Sequence, residues 1–188
     1  ANETQSKVIY FNDKETNGDY VLNANQLAVV KVAEIFGITF DTCLKVFKDF
    51  RGIEHRLELV RNIDGIDFIN DSKATNVEST MWALNTITKP IVLIAGGRDK
   101  GSDFQTIRSH IKGKVKSLVL FGEAKNKISD ALKSAVETTE ASDIKSAVDV
   151  AYHKAQHGDC VLLSPMCASF DMFANYQERG RKFKEIVL

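Results

Sequence analysis

From residue 53 onward the chain alternates short, unbroken apolar runs with amphipathic stretches of ten or more residues, and that alternation leaves few folds open. The runs predict strands over 57–61, 66–69, 91–95, 117–121 and 160–164. The stretches predict helices over 76–86, 103–112, 124–134, 142–156 and 172–187. Ile91-Val92-Leu93-Ile94-Ala95 and Val161-Leu162-Leu163 are apolar at every position rather than at every second one. Such a strand is covered on both faces, as parallel strands between two helical layers are. The first two runs differ, because only Asn62-Ile63-Asp64-Gly65 separates them, a turn signal that makes them an antiparallel hairpin. The expected fold is Rossmann-like α/β: a mostly parallel sheet with one antiparallel hairpin and helices on both faces.

Residues 1–50 read differently. Val8-Ile9-Tyr10-Phe11 and Tyr20-Val21-Leu22 predict two short strands around a polar turn, 12–19. Leu27, Val30, Ala33 and Ile35 recur near helical spacing up to Gly37, and a second helix is expected over 41–49 with Cys43, Leu44, Phe47 and Phe50 apolar. Two thin strands and two helices bury too little surface to stand alone. Residues 1–50 are therefore expected to be the tail of a domain that begins upstream, with a boundary near Gly52 and a full domain over 51–188.

The 25 Lys and Arg residues balance the 25 Asp and Glu residues, so no basic excess points to nucleic acid or to an anionic membrane. Any anion site must be local. Cys43, Cys160 and Cys167 are odd in number and form no C-x-x-C pair, which argues against a disulfide framework or a zinc site and fits a reducing cytoplasm. The N-terminal Ala1-Asn2-Glu3-Thr4-Gln5-Ser6 is polar with no apolar segment behind it, and the apolar runs are too short for a bilayer. The expectation is a soluble, cytoplasmic, monomeric chain that holds no metal of its own.

In a sheet of this kind ligands bind beyond the carboxyl ends of the strands. Three polar loops fall there: Asn70-Asp71-Ser72-Lys73-Ala74-Thr75-Asn76, Gly96-Gly97-Arg98-Asp99-Lys100-Gly101 and Ser164-Pro165-Met166-Cys167-Ala168-Ser169. The first pairs Asp71 with Lys73 just before a helix whose start, near Thr75 or Asn76, fits a capping box with Glu78. Free N–H groups at that start favour an anion, although the same residues suit a well-capped helix with solvated charges, and the residues alone leave both open. The second loop sets two glycines after a buried strand, then Arg98 and Lys100; an ordinary surface turn with two cations is the bland alternative. Neither G-x-G-x-x-G nor G-x-x-x-x-G-K-[ST] occurs in the 188 residues, which disfavours a Rossmann oxidoreductase and leaves no phosphate loop. The third loop has no G-x-S-x-G elbow, so Ser164 and Ser169 are not nucleophiles by pattern, and Cys167 reads as a packing residue. His55-Arg56 lies just past the boundary, where an arginine could reach phosphate or simply coat the surface.

These stretches, together with Gly52-Ile53-Glu54-His55-Arg56, Phe170-Asp171 and Arg179-Gly180 with Phe183, resemble the Mur ligase family, in the family's order along the chain. The Asn-Asp-Ser-Lys-Ala-Thr-Asn loop is similar to that of the members that add D-glutamate. The resemblance implies three domains, for a UDP-sugar, for ATP and a C-terminal Rossmann-like one, with 1–50 the end of the ATPase domain. It implies phosphorylation of the carboxylate of UDP-N-acetylmuramoyl-L-alanine by ATP, then attack of the D-glutamate amine on the acyl phosphate, in peptidoglycan synthesis. ATP and Mg²⁺ would be held mainly by the part of the central domain this chain lacks, so the fragment alone is expected to be inactive. Carried over, Lys100 and Lys73 would serve catalysis. Thr75, Lys100, Ser169, the Phe170 backbone and the neighbourhood of Tyr176 would hold D-glutamate. Asn25 would lie beside adenine, Asp71 at the ribose, Lys73 near the phosphates and Arg56 at the γ-phosphate. The chain departs from the family pattern at Val21-Leu22, where His-Asn is usual, at Met166 and at Tyr176, where phenylalanine is frequent. A non-catalytic ligand-binding domain of the same fold is the alternative reading.

Overall fold

The computed structural model describes residue 8, residues 16–17 and residues 20–188. Apart from Val8, the strand expected over 8–11 lies outside the described residues. The chain divides into two compact units, Ala1–Arg51 and Gly52–Leu188.

In the first unit β1 (Thr16–Asn17) and β2 (Tyr20–Val21) pair antiparallel. Helix α1 (Ala24–Ile35) starts where Asn23 and Gln26 exchange side-chain to backbone hydrogen bonds, both 3.0 Å, and α2 (Phe40–Asp49) starts at Thr39. Leu27, Val30 and Ala33 bury against Leu22 and Cys43 as their spacing predicts. Ile35 and Phe50 do not: they are 63% and 60% exposed. Both stand where a helix stops, and Gly37 (φ 68°) turns the chain away in a left-handed conformation.

The second unit is a six-stranded sheet, β3 (Glu58–Ile63), β4 (Ile66–Asn70), β5 (Ile91–Gly96), β6 (Val115–Phe121), β7 (Thr138–Glu140) and β8 (Cys160–Leu163). Its order is β3-β4-β8-β5-β6-β7, with β3 antiparallel to β4 and every other pair parallel. Alternate residues of the buried strands feed two separate cores. Ile91, Leu93, Leu118, Leu120 and Leu162 pack with α3 (Val77–Thr86), α4 (Arg108–Ile111) and α5 (Lys125–Leu132). Val92, Ile94, Val119, Val161 and Leu163 pack with α6 (Ile144–Lys154) and α7 (Tyr176–Val187). Fully burying each such side chain contributes about 1.5–3 kcal/mol, so the doubly covered strands dominate the stability of this unit.

Two expected helices need correction, and one strand is added. Residues 103–112 are not one helix but a 3₁₀ turn, Phe104–Ile107, followed by the single α-turn of α4. Asp103 caps Gln105 N and Thr106 N bonds the Asp103 carbonyl, which tightens the start to three residues per turn. Strand β7 was not expected: it is three residues long, and Thr138 and Thr139 are only half-buried at the sheet edge. Helix α7 starts at Tyr176 rather than 172, because Asn175 accepts from Glu178 N while Ser169 O holds Met172 N and Phe173 N in a preceding turn. Among the described residues no helix is long and apolar enough to cross a membrane.

Candidate functional site

The last strand, β8, inserts between β4 and β5, so the loops that follow these three strands meet at one edge of the sheet. Asp71 N donates to Leu163 O (2.8 Å) and Gly96 N to Pro165 O (2.9 Å). Arg98 and Ala168 exchange backbone bonds of 2.9 and 3.1 Å, zipping the second loop to the third. Glycine is required at this seam. Gly97 has φ 129°, and a Cβ there would lie 2.3 Å from Ala168 O; one on Gly96 (φ 127°) would lie 1.8 Å from Phe121 O.

Beneath the loops lies a buried polar core. Arg179 is fully buried; its Nε donates to Ser72 Oγ (3.0 Å) and its two terminal nitrogens to Ser72 O (2.8 Å) and Cys167 O (3.1 Å). One side chain of α7 thus joins the first and third loops. It has no carboxylate partner among the described residues, and burial pushes its pKa down to about 10. Asp71 is also buried. Its Oδ2 accepts from Ser164 Oγ (2.8 Å) and its Oδ1 from Leu57 N (3.3 Å), yet burial raises its pKa to about 6. Ser72 N donates to Asn70 Oδ1 (3.1 Å), which turns Asn70 Nδ2 toward His55 Nδ1 (2.9 Å). The His55 proton therefore sits on Nε2. Burial also holds its pKa below the usual histidine range, so the ring is neutral.

The entry to this unit is pinned to the first loop. His55 (φ 65°) and Leu57 (φ 44°) both adopt the left-handed conformation that residues with a Cβ avoid, and between them Arg56 is exposed. Lys73 N donates to His55 O (3.0 Å), and Glu58 takes His55 N (3.0 Å).

Glu54, His55 and Glu58 form a cluster of metal-ligating types. Lys184 Nζ already sits between the two carboxylates, 3.0 Å from Glu54 and 2.5 Å from Glu58, and His55 Nε2 presents a proton rather than a lone pair. The cluster is an ion-paired lysine site. In the crevice, Asp71, Asp99 and Asp171 are each engaged by internal donors: Asp99 holds Gly101 N, Ser102 N and Lys127, and Asp171 holds Glu123 N. They offer Mg²⁺ no ready set of oxygen ligands.

Of the residues singled out in the sequence, the structure brings Lys73 and Tyr176 together, with the Lys73 ammonium 4.2 Å from the ring centroid. Thr75 is half-buried and follows a tight turn in which its N donates to Lys73 O (2.8 Å); Asn76, not Thr75, caps α3 by accepting from Ser79 N (2.9 Å). Ser169 is buried and Phe170 is 61% exposed. Lys100 is exposed at the carboxyl end of β5, and neither it nor Lys73 has a carboxylate partner among the described residues. Arg98, by contrast, is forked onto Glu123 at 2.8 and 3.1 Å. Asn25 lies in the first unit, exposed at the second position of α1. Cys167 is buried and its thiol is pushed up to about 12, which leaves no thiolate for nucleophilic chemistry. The structural role of Arg179 was missed, though a signal existed: Arg179, Phe183 and Val187 share one helix face at four-residue spacing. The His55–Asn70 pair had none.

In fold the chain is similar to a pseudomurein peptide ligase type C from Methanothermus fervidus, with TM-score 0.67 and 18% identity over 87% of this chain and 34% of that one. It is also similar to a bifunctional folylpolyglutamate synthase/dihydrofolate synthase from Yersinia pestis, solved with AMPPNP and Mn ion, with TM-score 0.61, 16% identity and coverage of 86% and 38%. The family described as "Mur ligase, glutamate ligase domain" matches residues 55–167, so the chain belongs to the Mur ligase family. Within it, proteins named UDP-N-acetylmuramoylalanine–D-glutamate ligase are similar over most of the chain. The one from Chloroherpeton thalassium is 46% identical over 87% of this chain, and the one from Thermoanaerobacter sp. is 43% identical over all of it. The chain spans 35% and 42% of the length of those two relatives.

Proposed function

We propose that this chain is the C-terminal part of an ATP-dependent ligase that joins D-glutamate to UDP-N-acetylmuramoyl-L-alanine for peptidoglycan. The observation that carries the reading is a pair of ammonium groups, Lys73 and Lys100, with no carboxylate partner among the described residues, on loops that meet at the carboxyl edge of the sheet. D-glutamate carries two carboxylates and an acyl phosphate is a dianion, and a crevice with its carboxylates internally satisfied and two lysines without a carboxylate partner among the described residues suits both.

In this reading Lys100, Thr75, Ser169, the Phe170 backbone and Tyr176 receive the D-glutamate carboxylates. Lys73 and Arg56 face the phosphates and Asp71 the ribose. ATP transfers its γ-phosphoryl group to the L-alanine carboxylate, releasing ADP, and the D-glutamate amine then attacks the acyl carbon, forming the amide as inorganic phosphate leaves. The residues of this chain orient the amine and offset charge as the acyl phosphate is attacked. Mg²⁺ would be held mainly by central-domain residues outside this chain, a placement supported by the engagement of Asp71, Asp99 and Asp171 with internal donors. Cytoplasmic location and a monomeric state fit this role.

The test is ATP-dependent incorporation of labelled D-glutamate by the full-length protein, with the 188-residue chain beside it. Incorporation by the former alone is expected. A full-length protein that binds D-glutamate without ligating it would instead support a non-catalytic domain.

A further inference from the structure

We propose that the Tyr176 ring is a positioning group for the Lys73 ammonium, holding it in place without neutralising it. The consequence for catalysis rests on the ligase reading above; the contact itself does not. Lys73 is exposed, and its ammonium lies 4.2 Å from the Tyr176 ring centroid with no carboxylate partner among the described residues. Other lysines near the crevice are neutralised: Lys127, although also 5.4 Å from the Phe104 ring centroid, is paired with Asp99, and Lys184 with Glu54 and Glu58. A carboxylate fixes an ammonium but cancels its charge. A ring face attracts the cation through its quadrupole and leaves the full charge for an incoming anion.

The ring can do this because it is itself fixed. Ser72 Oγ donates to Tyr176 O (2.8 Å), and Arg179 Nε donates to that same hydroxyl (3.0 Å). The His55 ring meets the Tyr176 ring edge-on, with centroids 6.1 Å apart and planes at 85°. His55 O meanwhile accepts from Lys73 N (3.0 Å). The backbone of Lys73 and its ammonium are therefore held at opposite ends by two residues that touch each other. A flexible side chain is pre-ordered before any ligand arrives, which reduces the entropy lost when an anion binds.

Two measurements test this. In NMR spectra of the 188-residue chain, the Lys73 ε-methylene resonances should be shifted upfield by the ring current, remain so in Tyr176→Phe, and move to the exposed-lysine position in Tyr176→Leu. No change in Tyr176→Leu would overturn the proposal. In the full-length ligase, Tyr176→Leu should raise the ATP KM about two- to fivefold, the effect of one exposed cation–π contact, and Tyr176→Phe should recover most of that loss. In a Lys73→Met background the Tyr176→Leu effect should fall to within about 1.5-fold, because the two residues act as one unit. Effects that multiply independently would show that Tyr176 does not act through Lys73, and would leave the ligase reading standing. If the wild-type enzyme makes no product, the ligase reading fails and the NMR result alone decides the contact.

Discussion

Replacing Gly180 with alanine in the middle of α7 should destabilise the protein, although the same change in most helices does the opposite. Alanine is favoured over glycine in a helix interior by about 1 kcal/mol. Here a Cβ on Gly180 would lie 2.3 Å from His55 Nδ1 and under 3 Å from two further ring atoms. His55 is 2% exposed and Asn70 is fully buried, so the ring has little room to retreat. Overpacking of this kind costs about 1–3 kcal/mol, and breaking the 2.9 Å Asn70–His55 bond leaves a buried ring nitrogen unpaired at about another 1–3 kcal/mol. Against a gain of about 1 kcal/mol, the net loss is about 1–5 kcal/mol, or a fall in Tm of at least about 2 °C for a chain of this size. Thermal and urea unfolding of wild type and variant measure it. In a His55→Ala background the clash disappears, and Gly180→Ala should recover its ordinary stabilising sign. A Tm for Gly180→Ala at or above that of wild type would refute the reasoning.

In the full-length enzyme, Lys100→Ala should raise the D-glutamate KM roughly ten- to a hundredfold, the worth of one charge-assisted hydrogen bond, with little change for ATP. Arg98→Ala should do far less, because its guanidinium is spent on exposed Glu123; equal effects would remove Lys100 from the site. Asp71 has a folded pKa of about 6 against roughly 3.9 unfolded. Its contribution to stability is therefore full below about pH 4 and lost as pH rises through 6. Urea titrations from pH 4 to 8 should show this slope in wild type and not in Asp71→Asn, and identical slopes would mean another group titrates. Hydrogen exchange should report separate protection levels for 20–50 and 53–188, as expected of two compact units; a single shared level would contradict this.

Much of the molecule could be read from local pattern. Ile91 to Ala95 and Val161 to Leu163 had to be buried strands, because an unbroken apolar run finds no water-facing side in a sheet. The hairpin followed from Asn62 to Gly65, and the three crevice loops followed from where those runs end. Elements held by half-exposed or mixed residues were not legible: Thr138–Glu140 has no apolar run to mark it, and Phe104–Ile111 carries a helical period that Asp103 tightens into a 3₁₀ turn.

Residue identity and spacing alone thus determined the fold class, the loops and the charged residues offered to a ligand, since burial and turn formation act over a few neighbours. Only the tertiary structure decided which charges stay free. Insertion of β8 between β4 and β5 sets Ser164 against Asp71, and α7 lays Arg179 under Ser72 and Tyr176 beside Lys73. Arg179 and Arg181 both sit in α7, yet one is fully buried and the other exposed. That difference arises from contacts between segments about a hundred residues apart, where desolvation and partner geometry, rather than local sequence, set the energy of a charge.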